Sequence, residues 1–191
     1  MIGPILTVIA GPNGAGKSTI YKIVEPLGRF INADDIESAL PAHLSKADRE
    51  KAAARAALDA IRDLLSNKRS LVVETTLSGN WPIRLMREAK ALGYRVELVF
   101  IVLDSPQRSI ERVAFRVRDG GHDIPVDVLL RRYPRSLANL PAAAELADET
   151  AIIDNSAKKP RWVMKFEGGK LVDLDIRTPL DETLLTTLHR D

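Results

Sequence analysis

The chain has 191 residues, 45% of them apolar, and a formal net charge of +2. That length and apolar content support one packed domain and exclude global disorder, while the near-balanced charge argues against a polynucleotide as bulk partner. The lack of cysteine excludes disulfides, thiol catalysis and zinc–thiolate sites, and the three histidines lie too far apart in sequence to suggest a metal cluster.

The first element is the apolar, β-branched run Ile5-Leu6-Thr7-Val8-Ile9-Ala10, expected as a buried parallel strand. It lacks a basic leader, so it reads as a strand and not as a signal peptide. No apolar run approaches the ~20 residues that span a bilayer. A cytoplasmic protein without a membrane partner is therefore expected. Gly11-Pro12-Asn13-Gly14-Ala15-Gly16-Lys17-Ser18-Thr19 follows at once and matches G-x-x-x-x-G-K-[ST], the Walker A phosphate loop. Its glycines let consecutive N–H groups turn inward onto phosphate oxygens. Lys17 reaches the outer phosphates as a point charge, and the Ser18 hydroxyl is the candidate Mg²⁺ ligand. ATP and Mg²⁺ are the implied cofactors. The following helix, over 18–24, adds the positive end of its dipole.

A short strand over 29–32 is expected next, ending in Ala33-Asp34-Asp35-Ile36-Glu37. Carboxylates at the carboxyl end of a strand lie on the edge where open α/β folds bind ligands. Asp34 is thus a candidate general base for a substrate hydroxyl, with Asp35 as the alternative, and either residue would also suit a helix N-cap. The alanine- and leucine-rich stretch 45–68 predicts a long structural helix, with Ser45 and Asp48 as a capping-box variant. A buried strand over 70–73 then delivers Glu74 and Thr75 to the same edge as candidate substrate-binding residues. Glu74 would orient substrate, contact metal-bound water or pair with an arginine.

Residues 81–92 predict an amphipathic helix with Pro82 in its first turn. A strand over 96–103 ends in Asp104, which reads as a helix-starting residue in preference to a metal-associated carboxylate. From 106 to 140 the chain is dense in arginine. Arg108, Arg112 and Arg116 recur every four residues and share a helix face, and Arg131, Arg132 and Arg135 follow beyond a Gly-Gly-His loop. Guanidinium suits bidentate contact with phosphate oxygens better than ammonium does. Two such helices predict a lid over about 106–135, with Arg116 and Arg132 as the catalytic choices and Arg112 and Arg118 in reserve. His122 in the loop is more simply an exposed residue.

A strand over 150–156 is expected as the last of the main sheet, with Asn155 a weak candidate for adenine contact. A hairpin turning at Gly168-Gly169 and a short helix over 180–188 close the chain. The fold class is α/β: a three-layer P-loop kinase fold with a mainly parallel central sheet, a helical lid and a C-terminal β-hairpin, in one domain over 1–191. The residues support a small-molecule kinase, with an antibiotic, a nucleoside or a nucleic-acid 5′-hydroxyl as other acceptors, or an ATPase switch. A GTPase lacks support, because Asn67-Lys68-Arg69-Ser70 has no base-reading aspartate.

The ordered set GPNGAGKST at 11–19, INADDIE at 31–37, ETTLSG at 74–79, RVAFRVRDGGHDIP at 112–125, RRYPRSLANL at 131–140 and IDNS at 153–156 resembles the zeta-toxin-like family of P-loop kinases. The resemblance implies ATP-dependent phosphorylation of a small molecule's hydroxyl. In characterised members that molecule is UDP-N-acetylglucosamine, a sugar nucleotide, and an antitoxin protein holds the kinase inactive. Carried over by motif, Lys17 and Ser18 match the nucleotide loop, Asp34 the substrate-hydroxyl base, and Glu74 a substrate-side carboxylate.

Overall fold

The computed structural model describes residues 3–41, 43–121 and 123–188. A seven-stranded sheet runs through it in the order β2-β3-β1-β4-β5-β6-β7. These strands are β1 (Ile5–Ala10), β2 (Arg29–Ile31), β3 (Leu71–Thr75), β4 (Arg95–Val102), β5 (Glu149–Asp154), β6 (Arg161–Glu167) and β7 (Lys170–Leu174). The first five are parallel; β6 then joins β5, and β7 joins β6, both antiparallel. The expected hairpin is present, but it extends the main sheet, so β5 is not the last strand.

The helices are α1 (Lys17–Val24), α2 (Ala33–Ser38), α3 (Lys46–Ser66), α4 (Trp81–Ala91), α5 (Pro106–Arg118), α6 (Val126–Leu146) and α7 (Pro179–Leu188). β1 and β4 are buried along almost their whole length, as the continuous apolar runs of parallel strands covered on both faces require. Alternate side chains feed two cores. Leu6, Val8 and Val73 meet Ile61 and Leu64 of α3, Met86 of α4 and Leu140 of α6 on one face. Ile9, Val72 and Ile101 meet Ile20 of α1 and Tyr133 of α6 on the other. Each such fully buried side chain contributes about 1.5–3 kcal/mol.

Ser45 caps α3 as the sequence suggested: its hydroxyl accepts from the Asp48 N–H at 3.2 Å and donates to the Asp48 carboxylate at 2.6 Å. Pro82 occupies the first turn of α4. α6 is the departure. It continues through Pro134 and Pro141 to Leu146, where propensity alone would stop it. Its buried face, Tyr133, Ser136, Leu140 and Ala143, holds both halves against the sheet. The Tyr133 hydroxyl donates to the Leu103 carbonyl at 2.6 Å. Burial outweighs the missing helix hydrogen bonds. Leu129 in the first turns of α6 is buried as well, the helix also packs with α5, and from Tyr133 on it belongs to the core.

Candidate active site

The carboxyl ends of the five parallel strands share one edge, and the phosphate loop leaves β1 there. At Gly11, with φ 143°, a Cβ would stand 2.1 Å from the Ile101 carbonyl oxygen. The loop can lie this close to β4 only with glycine. Gly16 takes the left-handed conformation at φ 85° as the N-cap of α1 and offers no side-chain cap. The first N–H groups of α1 are thus available to an anion. A Cβ on Gly16 would meet Asn155 Nδ2 at 2.5 Å. That amide donates to the Ala15 carbonyl at 2.8 Å, so Asn155 braces the loop instead of reaching towards a base. Ser109 adds a second brace, donating to the Asn13 carbonyl at 2.6 Å.

Lys17 is only 7% exposed. Its Nζ donates to the Pro12 carbonyl at 3.1 Å and stands 3.9 Å from Glu74 Oε1. Burial pushes the Lys17 amine below its usual value; Glu74 opposes this most strongly, Arg116 and Arg132 add to the lowering, and Asp34 opposes it. Residues far apart in sequence thus act electrostatically on one ammonium group.

Glu74, near the end of β3, accepts from the Ser18 hydroxyl at 2.9 Å and from Asn32 Nδ2 at 3.4 Å. Asn32 is also the N-cap of α2, its side-chain oxygen accepting from the Asp34 N–H at 2.9 Å. Neither aspartate is the cap. Asp34 and Asp35 both sit in the first turn of α2, but only Asp34 faces the cavity. Asn32 was not singled out from the sequence, although an asparagine ahead of an acidic first turn is a legible cap signal.

That cavity measures about 440 Å³. Asn13, Gly14 and Lys17 form one side, Asp34 and Glu37 another, Glu74, Thr75 and Thr76 a third, and Arg116 and Arg132 stand above with Ile124 and Val128. It brings together Lys17, Asp34, Glu74, Thr75, Arg116 and Arg132, taken from five separate stretches of sequence. Pro12 and Ala15 shape the loop, since the Ala15 N–H donates to the Pro12 carbonyl at 3.2 Å. Thr19 lies in the first turn of α1 and is exposed.

The arginine ladder of α5 shares a face but reaches three places. Arg108 is held bidentately by Asp104, Nε at 2.6 Å and the second nitrogen at 2.7 Å. Ser105, not Asp104, caps that helix. Arg112 reaches the carbonyls of Gly14, Ser156 and Ala157 at 3.4–3.5 Å. Arg116 reaches the cavity, and Arg118 lies outside its lining. His122 lies outside the described residues.

Beyond Glu74 the chain turns sharply. Leu77 is fully buried with φ 55°, a conformation that costs a non-glycine residue roughly 1–3 kcal/mol and persists only where neighbours hold it. The Thr75 hydroxyl accepts from the Leu77 N–H at 3.1 Å, the Thr76 and Ser78 hydroxyls pair at 2.8 Å, and Asn139 Nδ2 on α6 donates to the Leu77 carbonyl at 2.8 Å.

Among the described residues, no helix is long and apolar enough to cross a membrane. The family model described as Zeta toxin matches residues 2–162. An uncharacterised protein of Haemophilus influenzae is 32% identical over 125 residues, 64% of this chain and 88% of that protein. Among solved structures, the PezAT chromosomal toxin–antitoxin system of Streptococcus pneumoniae superposes with a TM-score of 0.67 at 18% identity, over 96% of this chain and 83% of that one. The AvrRxo1-ORF1:-ORF2 complex with ATP superposes at 0.66 and 19% identity, over 98% of this chain and 64% of that one. At these identities the structures speak to the fold.

Proposed function

This chain belongs to the Zeta toxin family, and from that premise we propose that it transfers the γ-phosphate of ATP to a hydroxyl of a small molecule, a sugar nucleotide such as UDP-N-acetylglucosamine being the first acceptor to try. The carrying observation is the single cavity in which the phosphate-loop lysine, the carboxylate of Asp34 and the guanidinium-bearing residues Arg116 and Arg132 face one another.

The donor set fits a magnesium–nucleotide. The uncapped start of α1 offers N–H groups to phosphate oxygens, and Lys17 supplies a buried cation beside them. Ser18 Oγ and Glu74 form an oxygen-rich corner suited to Mg²⁺ and its waters. Bound there, Mg²⁺ would neutralise charge on the outer phosphates. Asp34 accepts or orients the proton of the acceptor hydroxyl, while Thr75 and Thr76 contact the acceptor. The lid, α5 with the first turns of α6, brings Arg116 and Arg132 to the phosphoryl group and excludes water. Well-placed arginines of this kind are worth about 10³–10⁵ in rate. The presence of a second protein in both similar structures supports an antitoxin-like partner for this chain too.

The test is incubation of the protein with γ-labelled MgATP and either pure UDP-N-acetylglucosamine or a metabolite extract, with Asp34→Asn as control. Label moving to an alcohol in the wild type and not in the variant is the expected result. Hydrolysis of ATP at a rate no acceptor changes would point instead to a switch, and no affinity for MgATP would overturn the reading.

A further inference from the structure

We propose that Asn139 is a positioning residue that sets the acceptor side of the cavity in register with the helix carrying Arg132; this rests on the phosphotransfer reading above. Asn139 lies seven residues beyond Arg132 on α6, close to two full turns and so on nearly the same face. Its amide donates to the Leu77 carbonyl at 2.8 Å and, more weakly, to the Gly79 carbonyl at 3.5 Å. One side chain thereby clasps both arms of the turn that follows Glu74 and Thr75.

That turn needs a clasp. Leu77 holds a left-handed backbone without being glycine, and its side chain is sealed in the core. Left to itself, the segment would relax to the ordinary right-handed or extended regions. Such a relaxation would move the Leu77 N–H away from the Thr75 hydroxyl that now accepts from it at 3.1 Å. Thr75 and Thr76 line the cavity, so their hydroxyls would lose their fixed directions. α6 is well placed to hold the turn, because its later half is anchored in the core by Leu140 and Ala143. Asn139 itself is absent from the cavity lining; it acts through the turn.

The test compares wild type, Asn139→Ala and Asn139→Gln, the last keeping the amide on a longer arm. Amide hydrogen exchange across 75–80 is read first, since it requires no acceptor. Faster exchange confined to that segment in Asn139→Ala, with partial rescue in Asn139→Gln, is expected. The affinity for MgATP should stay unchanged. With UDP-N-acetylglucosamine as acceptor probe, Asn139→Ala should raise its KM, or lower kcat, by on the order of 10- to 100-fold at constant KM for ATP. If Asn139→Ala fails to fold, Asn139→Asp, which keeps the shape but cannot donate, carries the exchange comparison: faster exchange confined to 75–80 supports the clasp, and no local change removes it. Unchanged exchange at 75–80, or a loss shared equally by the ATP and acceptor parameters, overturns the proposal. A wild type that does not phosphorylate the probe defeats that choice of acceptor, while the exchange data still decide the clasp.

Discussion

Glu74 accepts a hydrogen bond from Ser18 at 2.9 Å while its other oxygen stands 3.9 Å from the Lys17 ammonium. The end of β3 is thereby tied to the phosphate loop, and the turn over 76–79 that follows inherits its position from that loop. Asn32 reaches the same carboxylate at 3.4 Å and caps α2. Three consecutive pieces of the site therefore hang on one carboxyl group.

Because Asn32 caps α2, Asp34 is not needed to hold the helix. Asp34→Asn should keep its melting temperature and its MgATP affinity, yet lose about 10²–10⁴ in transfer rate, the usual worth of a positioned base. Asp35→Asn, outside the cavity, should transfer normally. Paired calorimetric and single-turnover measurements on the two variants check this; equal losses in both would remove Asp34 from the role.

Lys17 must be protonated to hold phosphate, and burial lowers its pKa from 10.5. Affinity for MgATP should therefore fall as pH rises through that lowered value, earlier than an exposed lysine would allow. Glu74 is the strongest influence holding the proton on. In Glu74→Gln the fall should begin at a still lower pH. Titration calorimetry across the alkaline range reads both curves, and an affinity that stays flat until near 10.5 would contradict the burial argument.

Local backbone demands made the phosphate loop legible: a strand, a glycine-rich turn and a helix in that order leave few other readings. Lys17, Asp34, Glu74 and the arginine face were recognisable by residue type at strand and helix ends. What could not be read is which cation goes where. Arg108, Arg112 and Arg116 are equivalent by helical spacing, and the approach of Asp104 to the first and of the 155–157 loop to the second is set by the tertiary fold. The same holds for Asn155 and Asn139, whose partners lie 140 and 62 residues away. The hairpin was visible from its Gly-Gly turn. Its union with β5 was not, because a period-two pattern specifies a strand without specifying its neighbour.

The arginines should separate accordingly. Arg116→Ala and Arg132→Ala should each slow phosphoryl transfer by an order of magnitude or more, with ATP affinity less affected. Arg108→Ala removes an exposed pair with Asp104, and such pairs contribute about 0–1 kcal/mol. Its transfer rate should stay near that of the wild type. Pre-steady-state rates on the three variants decide this, and a slow Arg108→Ala enzyme would shift the role along the ladder.

Stability should depend on Arg161. It donates to the fully buried Asp181 at 2.8 Å and to Asp154 at 3.3 Å, linking α7 to the end of β5. Burial works to raise the Asp181 pKa, but the Arg177 and Thr178 N–H groups and the Arg161 guanidinium outweigh it and hold it below 3.8. A depressed carboxylate stabilises above its unfolded value, and that contribution is lost as pH falls below 3.8. Arg161→Met should cost roughly 3–5 kcal/mol at neutral pH, because it leaves a buried charge without its cation. Its acid unfolding should also begin at higher pH than in the wild type. Denaturant titrations at several pH values measure both, and an unchanged acid limb would show that the two backbone donors suffice.

Glu74 admits two roles, and magnesium separates them. Its contact with Ser18 sets it beside the proposed metal ligand, whereas Thr75 beside it lines the cavity proposed for the acceptor. If the metal role dominates, Glu74→Gln should need more Mg²⁺ for half-maximal transfer, and excess Mg²⁺ should restore much of the rate. The acceptor KM would then stay near its wild-type value. If Glu74 instead grips the acceptor, the Mg²⁺ dependence should be unchanged and the acceptor KM should rise. The Ser18 contact favours the first outcome, since a side chain 2.9 Å from that hydroxyl lies within reach of any cation the hydroxyl binds. A Mg²⁺ titration at saturating ATP, repeated at two acceptor concentrations, distinguishes the two roles, and a magnesium requirement identical to the wild type would assign Glu74 to the acceptor.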